Sequence, residues 1–257
     1  MQAVDTATNL GTAKNCRQRT HAREFCSRLQ SMLRSIFAQA VARLFLSVAA
    51  LALAVFGAAG TADYWQAWLY LGIFFAGSLT VTAYFSIHDP ELIRRRNAFG
   101  AGAERSPGQG IIATAIQLSV LLCLAVPGLD HRFGWSHVPT GVVLLAELGH
   151  LIAFGILFWV FRHNSFAAAT LTVEENHRVI DTGPYAVVRH PMYAGGLLLM
   201  LVTPPALGSF YGLAAVAPVL VALIARLVTE ERCLVAQLPG YAAYRTRVRY
   251  RLLPGVF

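Results

Sequence analysis

The chain has 257 residues, of which 56% are hydrophobic and only 13% are charged, and its formal net charge is +8. An ordinary soluble domain has about 45–50% apolar and about 25% charged residues, so this composition excludes a protein with a fully water-exposed surface. It also excludes an intrinsically disordered chain, because disorder requires low hydrophobicity. The basic excess fits an anionic membrane surface, and we expect no binding of nucleic acid.

The first 40 residues are basic and precede the apolar part of the chain. Their apolar residues recur at helical spacing between arginines, which predicts either an amphipathic helix on the membrane or a simple helical lead-in to the first span. A secretory signal is excluded because the apolar stretch starts too late, and an organellar transit peptide is a third option. The recurring apolar residues are Phe25, Leu29, Met32, Leu33, Ile36 and Phe37.

Five apolar stretches follow, and a membrane-spanning helix needs about 20 such residues. Four are predicted single spans, at residues 41–60, 64–87, 110–129 and 138–161. The fifth, residues 191–225, carries no charge, and as one helix it would be about 52 Å long, well beyond the hydrocarbon core of about 30 Å. Because prolines and a Gly-Ser pair interrupt it, we predict a helical hairpin with its tip near residues 203–209.

These elements define an all-α, polytopic integral membrane protein with about four transmembrane helices and a C-terminal helical hairpin. The predicted parts are the N-terminal segment 1–40, the four spans within 41–161, and a catalytic region at 162–257 that ends in a basic tail. Of the 21 Lys and Arg residues, 20 lie on the side of the termini and the two long loops, with Arg43 near the start of the first span counted on that side. By the positive-inside rule, both termini and the active site are therefore expected on the cytoplasmic side.

Polar residues are concentrated at the two ends of the hairpin, which its fold brings together. The first arm starts with Arg-His-Pro-x-Tyr, and the second ends with Glu-Glu. Partial desolvation at the membrane interface strengthens electrostatic contacts there, and such a cleft suits a ligand with charges of both signs. The residues that we expect to meet are Arg189, His190, Tyr193, Glu230 and Glu231.

Structural explanations remain open for each feature taken alone. Pro191 suits the first turn of a helix, where its missing N–H costs nothing. Arg226 and Glu230 are four residues apart and would form a surface pair worth about 0.2–0.5 kcal/mol. Glu147 and His150 share one face of the fourth span; intramembrane ionisable residues are candidates for function, and the alternative is a polar contact between helices.

Several motifs of the C-terminal region form a pattern that is similar to a known family. They are Gly-Pro-Tyr-Ala-Val-Val-Arg-His-Pro-Met-Tyr-Ala-Gly at 183–195, Glu-Glu at 230–231, Gly-Tyr-x-x-Tyr at 240–244 and Val-x-x-x-Leu-Leu-Pro at 248–254. Together they resemble the isoprenylcysteine carboxyl methyltransferase family and, more distantly, the phospholipid N-methyltransferases. Asp-Pro-Glu-Leu-Ile-Arg-Arg-Arg at 89–96 resembles a further family element.

The resemblance implies a membrane-embedded methyltransferase that uses S-adenosylmethionine, without a Rossmann fold and without a metal. Arg189 and Glu231 would be catalytic, with Arg189 holding an anionic substrate group. The implied reaction is carboxyl O-methylation of an isoprenylcysteine-like group on a lipophilic or prenylated substrate that enters from the bilayer. The residues implied to line the cofactor pocket are Tyr185, His190, Pro191, Tyr193, Glu230 and Glu231.

Three other functions stay open. A phospholipid or small-amine acceptor would need a base to remove its proton, and Glu230, Glu231 or His190 could serve; a carboxylate, with a pKa of about 3.3–3.7, would not need one. A nicotinamide-dependent reductase of sterol-like lipids shares a similar polar C-terminal region. The last alternative is a non-catalytic, lipid-binding membrane protein.

Overall fold

The computed structural model describes residues 35–97, 107–167 and 178–256. Within these ranges the regular structure is helical. Two short 3₁₀ turns, Gly183–Ala186 and Tyr211–Ala215, precede the last two long helices. The α-helices are α1 (Ser35–Ala59), α2 (Trp65–His88), α3 (Pro90–Asn97), α4 (Pro107–Phe133), α5 (Thr140–His163), α6 (Pro191–Ala206), α7 (Val216–Gln237) and α8 (Tyr241–Arg247).

Five helices are long and apolar enough to cross a membrane: α1, α2, α4, α5, and α7 together with the 3₁₀ turn before it. Their outward faces carry large apolar side chains, such as Leu53, which is 75% exposed, and Leu145, which is 69% exposed. Lipid solvates such side chains, whereas a protein in water rarely exposes a continuous apolar surface. The predicted fold class, an all-α polytopic membrane protein, is confirmed.

The C-terminal hairpin forms as predicted, but its tip lies later in the chain. Helix α6 continues through Pro204 and Pro205 and ends at Ala206, so the turn occupies residues 207–215 rather than 203–209. The prolines lie in the final turn of α6, and the backbone N–H of Ser209 donates to the carbonyl of Pro204 there (2.9 Å). With 16 residues, α6 is about 24 Å long and shorter than the hydrocarbon core.

Helix α6 lies along α5, and small residues allow the close approach. A Cβ atom added at Gly149 of α5 would lie 2.7 Å from Cγ1 of Val202 on α6. Glycine at such a crossing lets two backbones pack closely inside a membrane. Helix α7 packs against α4, and α2 packs against α5. The start of α6 is thereby held beside the end of α5.

The ionisable pair in the fourth span makes the interhelical contact that was the structural alternative. Nδ1 of His150 lies 3.4 Å from the Glu147 carboxylate, and both side chains are buried. On its other side, Nε2 of His150 lies 3.2 Å from the hydroxyl of Thr203 on α6. The Thr203 hydroxyl donates to the carbonyl of Leu199 (2.7 Å). These polar groups connect α5 to α6 within the apolar interior.

The prediction for the N-terminal segment lies largely outside the described residues, which begin at residue 35. Of the apolar positions in that pattern, Ile36 and Phe37 are described, and both lie in the first turn of α1. Ile36 packs against a core cluster that contains Phe85 and Tyr185. The start of α1 therefore contacts the end of the bundle at which α6 begins.

At the opposite end of α6, a buried carboxylate joins three turns of the chain. Asp130, at 1% exposure, accepts hydrogen bonds from the backbone N–H and the hydroxyl of Ser136 (both 2.6 Å) and from the hydroxyl of Ser209. The Ser209 hydroxyl in turn accepts from the backbone N–H of Gly212 (2.9 Å). This network fixes the hairpin tip to the end of α4.

Removing the Asp130 carboxylate should destabilise the hairpin tip. We expect Asp130→Ala to lower the free energy of unfolding by about 2–3 kcal/mol, because charge-assisted hydrogen bonds are lost and buried hydroxyls stay unpaired. The measurement is denaturant unfolding in detergent micelles. Asp63→Ala, which removes an exposed carboxylate from the neighbouring turn, is the control. Equal stability of the two variants would contradict the assigned role of the network.

Candidate active site

A glycine turn positions the first predicted site residue. Gly183 has φ +58°, and a Cβ there would lie 2.4 Å from the ring of His163, so the turn requires glycine. The chain then enters the 3₁₀ turn that buries Tyr185. Asn164, just after α5, donates from Nδ2 to the Tyr185 hydroxyl (2.8 Å). The sequence gives no periodic or motif signal for Asn164, because its partner lies 21 residues away.

The hydroxyl of Tyr185 is uncharged in the site. Burial raises the pKa of Tyr185 to about 12, against a smaller lowering by the hydrogen bond from Asn164. The hydroxyl therefore stays protonated at physiological pH and does not act as a base. The backbone is held as well, because the hydroxyl of Tyr244 on α8 donates to the carbonyl of Tyr185 (2.8 Å).

The C-terminal segment pairs with the residues that precede α6. The backbone N–H of Arg189 donates to the carbonyl of Tyr250, and that of His190 donates to the carbonyl of Arg251 (both 2.9 Å). Pro191 then occupies the first turn of α6. This pairing brings the tail motif at 248–254 onto the base of the hairpin, where the motif at 183–195 also lies.

The Glu231 carboxylate on α7 is the centre of the site, and it is only 3% exposed. Its Oε1 accepts from Nε of Arg189 (2.6 Å) and lies 3.3 Å from Nε2 of His190. Its Oε2 accepts from Nε of Arg251 (3.0 Å). Both carboxylate oxygens are thus engaged by cationic or polar groups of the chain itself.

Arg189 is likewise buried, at 8% exposure, and its guanidinium donates several hydrogen bonds. Besides the bond to Glu231, its Nη1 donates to the carbonyls of Val248 and Arg249 (both 2.8 Å). Three guanidinium N–H donations thus hold α7 and the C-terminal segment to the start of α6. The sequence placed Arg189 and Glu231 together correctly, and the structure adds Arg251, which nothing in the sequence distinguishes from the other arginines of the tail.

A second acidic group lies beside the first. The Tyr193 hydroxyl on α6 donates to Oε2 of Glu230, and it accepts from Nε of Arg226 (3.2 Å). The rings of His190 and Tyr193 are nearly parallel, with centroids 5.7 Å apart. Arg226 is 7% exposed and contacts Tyr193, so the structural alternative of a pair at the protein surface does not fit the location of this arginine.

All the residues predicted to meet at the hairpin base are brought together. Residues 142–239 match the family described as "Phospholipid methyltransferase". The chain is similar to that family over this region, and the family implies a membrane methyltransferase that uses S-adenosylmethionine as the methyl donor and acts on a lipid. No curated protein matches the chain. The match does not single out the isoprenylcysteine carboxyl methyltransferases, which the motifs resembled more closely.

The matched region contains nearly all of α5, the loop after it, and the whole hairpin. It includes the Glu231 network except for Arg251, which follows the matched residues. It also excludes α3, whose arginines reach the same end of the bundle: Nη1 of Arg96 lies 3.6 Å from the sulfur of Met192 on α6. The described site therefore combines residues of the matched region with residues from outside it.

Loss of the Glu231 carboxylate should destabilise this end of the protein. Glu231→Ala leaves Arg189 buried without its counter-ion, and breaking a buried ion pair in this way costs about 3–5 kcal/mol. Denaturant unfolding in detergent micelles measures the effect. The control is Asp181→Ala, which breaks an exposed pair with Arg247 and should cost at most about 1 kcal/mol. A similar loss for both variants would contradict the central role of Glu231.

Proposed function

We propose that this protein transfers a methyl group from S-adenosylmethionine to the amine of a phospholipid headgroup at the membrane interface. The observation that carries the proposal is the match of residues 142–239 to the phospholipid methyltransferase family. That region contains the paired hairpin bases and their buried acidic network. The family favours amine methylation over the carboxyl methylation to which the sequence motifs pointed first.

The contacts of Arg189 support the same choice. A carboxylate acceptor would need a cation to hold it, and Arg189 was the residue expected to do so. Its Nε and Nη1 are already engaged by Glu231 and two backbone carbonyls. We therefore assign Arg189 and Glu231 to positioning: they join α6, α7 and the tail, and they do not grip the acceptor.

An ammonium group must lose a proton before its nitrogen can attack, so amine methylation needs a base. Glu231 is a poor choice because cationic partners stabilise its charged form. Glu230 is adjacent, less buried, and hydrogen-bonded to a neutral tyrosine hydroxyl. We assign the proton transfer to Glu230. The amine nitrogen then forms its bond to the methyl carbon as the carbon–sulfur bond breaks and S-adenosylhomocysteine leaves.

The site suits the donor that the family implies. S-Adenosylmethionine supplies an activated methyl group on a sulfonium when bound. It also bears an aromatic base, and the hairpin base offers the aromatic rings of Tyr185, His190 and Tyr193. We assign Tyr185, His190, Pro191 and Tyr193 to the walls that hold it. These residues orient the reacting groups and exclude water. Orientation of the reacting groups is a major source of the rate acceleration in such a displacement.

We place the active site and both termini on the cytoplasmic side. The support is the distribution of basic residues, since Arg132, in the last turn of α4, is the one Lys or Arg on the opposite side. Lys and Arg in short loops set the orientation of membrane proteins. Arg132 lies at the end of α4 near the Asp130 network, at the other end of α6 from Glu231.

The wild-type protein in detergent should bind S-adenosylhomocysteine in calorimetry and transfer a labelled methyl group to phosphatidylethanolamine. We expect Glu230→Gln to lower turnover by about 100-fold or more, as for loss of a general base, while binding of S-adenosylhomocysteine persists. Asp181→Asn, the same chemical change at an exposed carboxylate, should leave turnover unchanged.

Three results would overturn parts of this proposal. Methylation of a farnesylated N-acetylcysteine, with none of phosphatidylethanolamine, would restore carboxyl O-methylation. Loss of S-adenosylhomocysteine binding in Glu230→Gln would assign Glu230 to the cofactor rather than to the proton. Failure of the folded wild type to bind S-adenosylhomocysteine would exclude the methyltransferase activity.

A further inference from the structure

Arg96 is a partly buried cation whose contacts are weak for a guanidinium. It lies over the ring of Phe161 at 4.3 Å from the centroid. Its Nη1 lies 3.4 Å from the carbonyl oxygen of Ala167 and 3.6 Å from the sulfur of Met192. The carbonyl contact is at the long end for a hydrogen bond, and a thioether is a weak acceptor.

In the part of the chain that the structure describes, no carboxylate lies within ion-pair distance of Arg96. Removing a cation from water without a counter-ion is costly. Burial accordingly lowers the pKa of Arg96 to about 10, which still leaves it charged at physiological pH. A ligand anion at this position would supply a counter-ion.

Arg94, two residues earlier on α3, differs from Arg96 in exposure and in its partner. Arg94 forms an exposed pair with Glu91 one turn earlier, with 65% of its side chain exposed. It is an ordinary surface cation of an amphipathic helix. Arg96 instead points into the bundle, where it meets α5 through Phe161 and α6 through Met192. Its side chain reaches the site without belonging to any motif of the hairpin.

The packing around Arg96 places it close to the acidic part of the site. Arg96 contacts Phe161 and Met192, which pack in one cluster with Tyr185. The residue after Met192, Tyr193, donates to the Glu230 carboxylate. A basic group and an acidic group therefore lie near the start of α6. A phospholipid headgroup with an amine has the complementary pattern, with an ammonium and a phosphate separated by a two-carbon link.

We propose that Arg96 binds the phosphate of the acceptor lipid and so orients its amine toward Glu230. The inference rests on the proposed function, and it names the group that selects a phospholipid over other amphiphilic amines. A guanidinium suits this task because its planar fork can engage two phosphate oxygens. The carboxylate of S-adenosylmethionine has similar chemistry, and the test separates it from the lipid phosphate.

The test compares Arg96→Gln with Arg94→Gln, the matched change at the exposed arginine on the same helix. Arg96→Gln should raise KM for phosphatidylethanolamine in mixed micelles by about 10- to 100-fold, as expected for a lost charge-assisted hydrogen bond. Its affinity for S-adenosylhomocysteine should not change. Its kcat/KM for a long-chain primary amine without phosphate should equal that of the wild type. Arg94→Gln should behave as the wild type with both acceptors.

A binding measurement without turnover separates this inference from the proposed function. Native mass spectrometry should find phosphatidic acid retained by the wild type over diacylglycerol, with the preference lost in Arg96→Gln. If that holds but phosphatidylethanolamine is not methylated, the anion site stands and the proposed reaction falls. A weaker affinity for S-adenosylhomocysteine in Arg96→Gln, or equal losses with both amines, would overturn the assignment of Arg96 to the lipid phosphate.

Discussion

The geometry of the candidate site depends on one buried carboxylate. Glu231 joins three segments that are distant in sequence, because Arg189 precedes α6, Arg251 lies in the tail and Glu231 itself is on α7. An anion buried this deeply is tolerated only when several donors replace its water. Each of the three segments therefore supplies a charge that the others need for pairing. Separating the segments at the hairpin base would leave those charges unpaired.

The contacts of Glu231 differ from those of the adjacent Glu230 on the same helix. Arg189 and Glu231 satisfy each other, which makes them suited to fixing the shape of the site. The adjacent pair, Glu230 and Tyr193, is less buried, and the tyrosine hydroxyl donates to the Glu230 carboxylate. Two neighbouring glutamates on one helix thus have different environments, and this difference is the reason that the proposed function assigns proton transfer to Glu230 and positioning to Glu231.

Helix α6 is the short arm of the hairpin, and its contacts with the other helices hold it in place although it is shorter than the hydrocarbon core. Helix α6 is fixed at its far end by Asp130 through Ser209 and along its length by Thr203 and His150 of α5. These polar contacts lie in an apolar interior, where small residues bring the helices close. The arm does not need to cross the hydrocarbon core, because its task is to present the Arg-His-Pro motif at one end of α5.

The spans, the hairpin and the meeting of its two bases were predictable from the sequence, because apolar length and proline or glycine interruptions are local properties. The tip was placed a few residues early, since prolines in a final helical turn do not end it there. Only the tertiary structure decided which charges pair. Arg251 and Arg96 belong to sequence motifs, but each lies beside other arginines. Only packing between segments far apart in the chain brings Arg251 to Glu231 and Arg96 to Met192. Side-chain partners across such distances carry no periodic signal in the sequence.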